Sequence, residues 1–115
     1  MIEGEHVVFG KKVTVIIDRP LGSKHPKYDF IYPLNYGYIP GMIAGDGEEQ
    51  DAYVIGEFEA IKKFEGYVIA VILREDDVED KLVVCKDLRK YTKEQIEALV
   101  EFQERFFQSS VIIGD

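Results

Sequence analysis

Four carboxylates, Asp46, Glu48, Glu49 and Asp51, crowd into one short stretch of the run YPLNYGYIPGMIAGDGEEQDAYVIG, which extends from Tyr32 to Gly56. Carboxylates this close repel one another unless something positive neutralises them, and hard oxygen donors suit Mg²⁺, Mn²⁺ or Ca²⁺. Gly45-Asp46-Gly47 marks a tight turn, because glycine tolerates positive φ and aspartate bonds its own backbone there. The alternation of Ala52-Tyr53-Val54-Ile55 then reads as a strand. A turn feeding a strand fixes Asp46 and Asp51 while leaving their oxygens open to solvent. A metal-binding turn is the leading reading, and a solvated hairpin loop is its competitor, since Asp-Gly is a favoured turn pair on any acidic surface. An EF-hand loop is excluded: Glu57 stands twelfth from Asp46, but Asp51 occupies the sixth position, where that loop needs glycine.

A second acidic group, Glu75, Asp76, Asp77, Glu79 and Asp80, reads alone as a solvated loop. If it closes the same end of the molecule as the first, divalent ions become the obvious means of stabilising both. Upstream lie Arg19, Lys24, His25 and Lys27, a local basic loop on an otherwise acidic chain, which is what a metal–phosphate compound would require. Tyr32, Tyr36 and Tyr38 could cover one sheet face or donate hydrogen bonds to phosphate oxygens. His25 has no second histidine near it in the sequence, so a zinc site is not expected, and no P-loop or nucleophile elbow is present.

The elements that must position these groups follow from length and pattern. A chain of 115 residues with a net charge of −8 predicts one domain over residues 1–115 and argues against nucleic acid as a partner. No apolar run is long enough for a membrane span, Met1-Ile2-Glu3-Gly4-Glu5 is no signal peptide, and the lone Cys85 fits a reducing compartment. A soluble cytoplasmic protein is expected. Val13–Ile17, Ala52–Phe58, Gly66–Leu73 and Lys81–Cys85 read as strands. Tyr28–Tyr32 reads as extended, and Asn35–Gly41 as a turn. Thr92-Lys93-Glu94-Gln95 has the form of a capping box, and Ile96, Leu99, Val100, Gln103 and Phe107 follow at helical spacing. Short strands followed by one helix predict an α+β fold, a small closed antiparallel β-barrel with a C-terminal helix packed on it.

At Tyr32-Pro33-Leu34-Asn35-Tyr36-Gly37-Tyr38-Ile39, followed by Asp46-Gly47-Glu48-Glu49-Gln50-Asp51, the chain resembles the soluble family I inorganic pyrophosphatases. That family carries a Tyr-Pro-x-Asn-Tyr-Gly-Tyr segment and then an Asp-Gly-Asp-Pro-x-Asp motif. Asp18-Arg19-Pro20, Lys27-Tyr28-Asp29 and Glu79-Asp80-Lys81-Leu82-Val83 resemble further family segments, so the likeness covers about residues 13 to 107. It implies the family's OB-like five-stranded barrel and Mg²⁺-dependent hydrolysis of pyrophosphate to two phosphates, with Mn²⁺ as a second ion.

Carried over by position, the resemblance makes Asp46 and Asp51 metal ligands and gives Glu48 the place of the motif's middle aspartate, a base or ligand. Asp80 completes the metal set, with Asp76 or Asp77 as the outer ligand. Lys27, Lys81 and Tyr36 would contact phosphate, and Asp18, Asp29 and Tyr32 would support the site. The hairpin that carries a phosphate-binding arginine in the family is absent, with Arg19 or Lys24 as its substitute. Phe106-Phe107 stand where the family has Tyr-Lys. The expected activity is therefore hydrolysis of pyrophosphate or another small phosphate compound. The alternative is a non-catalytic metal- or phosphate-binding or assembly module on the same barrel. The apolar residues Phe102, Phe106, Phe107 and Val111-Ile112-Ile113 predict a homo-oligomer.

Overall fold

The computed structural model describes residues 8–75, 80–88 and 91–114. Six strands and one helix follow in the order β1 (Lys12–Arg19), β2 (Asn35–Ile43), β3 (Glu49–Val54), β4 (Lys63–Arg74), β5 (Lys81–Cys85), α1 (Lys93–Glu104) and β6 (Ser109–Ile113). The strands are ordered β1-β2-β3-β5-β4-β6, and an additional β1–β4 ladder closes the first five into a barrel. β4 makes this possible by its length. Its first residues pair with β1, from Lys63 opposite Ile16 to Tyr67 opposite Lys12, and its last pair with β6, from Ala70 opposite Ile113 to Arg74 opposite Ser109.

The barrel closes as the pattern predicts, but it is mixed rather than wholly antiparallel. β3 and β5 run parallel, with Ala52 opposite Leu82 and Val54 opposite Val84. Three local expectations are corrected. Asn35–Gly41 is not a turn but most of β2, which pairs with β1 and β3. Gly37 is there for proximity: a Cβ on it would lie 1.8 Å from the Ile16 carbonyl oxygen. Pro40 falls where the β2–β3 register shifts, between Ile39 and Ile43, so its missing donor does not interrupt the ladder. Second, Tyr28–Tyr32 contributes a single bridge, Lys24 to Ile31, within a loop narrowed by hydrogen bonds from Gly22 N to Tyr32 O, Tyr32 N to Ser23 O and His25 N to Phe30 O. Third, Val111-Ile112-Ile113 is part of strand β6, paired with β4, with Val111 buried and Ile113 still exposed. The third strand also begins and ends earlier than expected, at Glu49 and Val54.

Alternation along the strands separates two cores. Val13, Val15, Ile39, Ala52, Val54, Val68, Val71, Leu82 and Val84 come from all five barrel strands and fill the lumen. Tyr36, Tyr53, Ile72, Val83 and Cys85 point the other way and meet Ile96 and Val100 of α1. Thr92 caps that helix as predicted: its Oγ1 accepts from Gln95 N, and Gln95 Oε1 accepts from Thr92 N. The helix stops at Glu104, so Phe107 lies beyond it, and Leu99 faces outward at 39% exposure. Among the described residues no helix is long and apolar enough to cross a membrane.

Asn35, wholly buried, anchors the loop that precedes β2. Its Oδ1 accepts from Leu21 N at 2.9 Å and Ile61 N at 3.3 Å, and its Nδ2 donates to Glu59 O at 3.0 Å.

Candidate active site

Strand parity puts Asp18, Tyr36, Tyr38, Asp51, Tyr53, Arg74 and Lys81 on the barrel's outer face, the one α1 covers in part. Register then brings them together. Tyr38 stands opposite Asp51 and Tyr36 opposite Tyr53 in the antiparallel ladder, and the parallel ladder sets Lys81 beside Asp51. The result is a cleft of about 270 Å³, past the end of α1, lined by residues that include Asp18, Arg19, His25, Tyr36, Asp51 and Lys81.

The floor of this cleft is a buried polar chain with every member partnered. Tyr32 Oη donates to Gln103 Oε1 (2.9 Å), Gln103 Nε2 donates to Tyr53 Oη (2.8 Å), and Tyr53 Oη donates to Glu104 Oε2. Arg74 closes the chain with two bonds to Glu104, Nε to Oε1 at 3.1 Å and Nη2 to Oε2 at 2.8 Å. Both charged side chains are nearly sealed from solvent, at 5% and 6% exposure, and the guanidinium also sits 3.7 Å over the Phe107 ring. Such a pair in a dry environment holds its geometry because separating it would leave a bare buried charge.

Burial raises the pKa of Tyr36 well above the usual phenol value, with the Asp51 charge adding to it; burial likewise raises Tyr53, with Glu104 next. Both therefore stay protonated as donors. Burial would lower Arg74, but the Glu104 carboxylate more than reverses it and the net shift is upward.

Lys81 is the second buried cation. Its Nζ lies 2.6 Å from Asp51 Oδ2, with the lysine side chain 3% and the aspartate 32% exposed. Burial lowers the lysine pKa, an effect the Asp51 hydrogen bond offsets in part. Asp18, on the opposite wall, is raised by burial first, against the pull of Arg19 and with the help of the Asp51 charge.

Asp51 also lines a second hollow, together with Tyr38, Asp46, Glu48 and Glu49. The acidic turn that frames it is built as the sequence predicts. Asp46 Oδ1 accepts from Glu48 N at 3.0 Å, Gly47 N donates to Ala44 O, Ala44 N donates to Glu48 O, and Gly47 takes φ +85°. Glu49 Oε2 accepts from Gly41 N at 3.1 Å. The donor set is all hard oxygen, which fits Mg²⁺ or Mn²⁺. Among the described residues no three acidic, histidine or cysteine side chains converge on one point. Asp80 stands just before β5, where its carbonyl accepts from Gln50 Nε2 at 2.6 Å. Asp76 and Asp77 lie outside the described residues.

Of the residues singled out from sequence, Asp18, Arg19, Tyr32, Tyr36, Asp51 and Lys81 share the cleft, and Asp46, Glu48 and Asp51 share the hollow. Lys24, Lys27 and Asp29 line neither. Lys24 pairs with Asp29 at 3.6 Å on the outside of the loop, and Lys27 is exposed. Sequence reasoning missed Arg74, Gln103 and Glu104. A signal existed: Gln103 sits seven residues after Ile96 on the buried face of α1, and Arg74 is in phase with the buried Ile72.

The family model described as inorganic pyrophosphatase matches residues 12–110, most of the chain. The chain belongs to the inorganic pyrophosphatase family. It is 29% identical over 100 residues to a protein named inorganic pyrophosphatase from Saccharolobus solfataricus, a match that takes in 66% of this chain and 58% of that relative. The chain thus aligns with little more than half the length of that curated relative.

Among solved structures it resembles an inorganic pyrophosphatase from Ehrlichia chaffeensis, with TM-score 0.71 and 19% identity over 91% of this chain and 87% of that one. It also resembles one from Coxiella burnetii, with TM-score 0.67 and 16% identity over 91% and 86%. At such identities the likeness is one of fold, the family's closed OB-like barrel with a C-terminal helix.

Proposed function

We propose that this pyrophosphatase-family chain hydrolyses inorganic pyrophosphate to two phosphates with Mg²⁺, Mn²⁺ serving as an alternative ion. The observation that carries the reading is the position of Asp51, which lines both the basic, tyrosine-rich cleft and the acidic hollow. One side of it suits a phosphate, the other a cation, and the scissile bond of a metal-bound phosphoanhydride belongs at such a junction.

Asp46 and Asp51 would hold the metal, with Asp80 and Asp76 or Asp77 as further ligands from the loop before β5. A divalent ion bound there supplies charge neutralisation and a water acidified toward neutral pH. Glu48 accepts a proton from the attacking water, whose oxygen bonds to one phosphorus as the bridging P–O bond breaks. The Lys81 ammonium and the Arg19 guanidinium neutralise the phosphoryl oxygens, and the protonated Tyr36 phenol donates a hydrogen bond to one of them. Asp18 and Tyr32 keep Arg19 and the cleft wall in place. Lys24, Lys27 and Asp29 act only as charges around the entrance.

The reading includes a homo-oligomer working in the cytoplasm. Tyr28 stacks on Phe106 with ring centroids 4.2 Å apart while both stay more than a third exposed, leaving an aromatic patch for a second copy.

A second reading has its own support. Asp51 is neutralised within the chain by Lys81, which suits a module that binds metal or phosphate without turnover, or one that acts on another small phosphate compound.

Phosphate release from pyrophosphate, measured with Mg²⁺ and then Mn²⁺ for the unaltered chain and Asp51→Asn, tests the first reading. Turnover in the unaltered chain, reduced on the order of 10²–10³-fold in the variant, is expected. A folded chain inactive with both ions excludes pyrophosphate hydrolysis and leaves calorimetric binding to separate the alternatives.

A further inference from the structure

His25 lines the cleft together with Arg19, Tyr32 and Lys81, yet none of the roles above uses it. Its Nδ1 accepts two backbone hydrogen bonds, from Lys27 N at 2.9 Å and from Tyr28 N at 3.1 Å. A ring nitrogen that accepts carries no proton, so the imidazole is in its neutral form with the proton on Nε2. Burial first, then the positive charges of Arg19 and Lys27, lower its pKa and favour the same form. The ring is also held from its faces. Tyr28 and Phe30 lie 4.9 Å away, and Tyr32 stacks at 6.0 Å with its plane 17° from parallel. With Nδ1 engaged by its own loop backbone, Nε2–H is the ring nitrogen left to meet a ligand in the cleft that His25 lines.

We propose that His25 is a substrate-binding residue, its Nε2–H donating a hydrogen bond to a phosphoryl oxygen of pyrophosphate in the cleft. The proposal rests on the pyrophosphate reading above. The loop explains why histidine suits this position. Gly22, Ser23 and the 24–31 bridge fold it back on Tyr32, so a side chain at position 25 is carried to the cleft wall. A neutral donor then adds directionality where Arg19 and Lys81 already supply charge.

The competing explanation is that His25 merely staples its loop through Nδ1, and two substitutions separate the roles. In His25→Asn the amide oxygen can replace the Nδ1 acceptor, but no donor reaches the cleft. In His25→Gln the longer amide can replace the Nε2 donor, but the acceptor for the loop is lost. Steady-state turnover of Mg²⁺-pyrophosphate is to be measured for all three chains, with equilibrium binding of pyrophosphate in Ca²⁺ as a second readout and thermal midpoints as a check of folding.

The expected result is a KM raised roughly tenfold in His25→Asn with kcat little changed, the pattern of one lost charge-assisted hydrogen bond, and a KM near that of the unaltered chain in His25→Gln. An unaltered KM in His25→Asn overturns the role of His25 and leaves the hydrolase reading standing. An unaltered chain that binds pyrophosphate without turning it over, with binding weakened about tenfold by His25→Asn, keeps the role of His25 and removes the hydrolase reading. A chain that neither binds nor hydrolyses pyrophosphate overturns both.

Discussion

Asp51 divides two regions that handle charge in opposite ways. On the cleft floor Arg74, Glu104, Tyr53, Gln103 and Tyr32 bond to one another in a chain largely shielded from water. In the acidic hollow Asp46, Glu48 and Glu49 are exposed, and the Asp46 and Glu49 carboxylates accept from backbone N–H groups. The floor is finished when the chain folds, whereas the hollow is held in shape by its turn and still carries uncompensated negative charge. A region of the first kind supplies rigidity and a region of the second kind supplies affinity for something positive.

That contrast can be broken from either side. Arg74→Met leaves Glu104 buried without its partner, and the expected cost is about 3–5 kcal/mol of unfolding free energy by urea titration. Adding Glu104→Leu to it should recover much of that loss, since the two sites are coupled. Asp46→Asn should do the reverse and leave the metal-free stability within about 0.5 kcal/mol of the unaltered chain. Its effect should appear in the response to Mg²⁺. An ion at 100 times its dissociation constant stabilises the unaltered chain by about 2.7 kcal/mol, and the variant should lose most of that gain. If Asp46→Asn destabilises the metal-free chain as much as Arg74→Met does, the division between the regions fails.

The smallest effect is a pH dependence at the cleft wall. The unfolded chain takes up a proton on His25 near the ordinary value of 6.5, while the folded chain, with its lowered pKa, resists until lower pH. The unfolded state therefore binds more protons in that window, and stability falls as pH drops through it. Urea midpoints followed from about pH 7.5 to 5.5 should decline less steeply in His25→Asn than in the unaltered chain.

The same two regions differ in how far the sequence discloses them. The acidic turn is local: Gly45-Asp46-Gly47 has turn chemistry of its own, and the bond from Glu48 N to Asp46 Oδ1 follows from residue type alone. The capping box at Thr92 and the strand Lys81–Cys85 are equally local and stand where they were expected. The floor is not local. Its members come from β3, β4, α1 and the loop before β2, and nothing along the chain states which strand lies beside which.

The parallel β3–β5 ladder, which sets Lys81 against Asp51, is invisible for the same reason. β2 was concealed differently. Gly37 and Pro40 punctuate it like a turn, but one admits the β1 backbone and the other occupies a register shift. Both are tertiary uses of residues whose local meaning is to break strands.

β4 has a consequence for the way the molecule assembles. It holds β1 near its start, β6 near its end and β5 along the other edge, so closing the sheet requires pairing between segments far apart in the chain. Such topologies fold on the slow side, in roughly milliseconds to seconds, because loop-closure entropy is lost before the contacts form. Arg74 sits at the end of this strand, and Glu104 arrives only with the last turn of the helix. Until then the buried Arg74–Glu104 pair cannot form, so the last turn of α1 is a late contribution to the cleft floor. Docking of α1 joins Arg74 to Glu104, so the cleft floor and the packing of the helix are completed together.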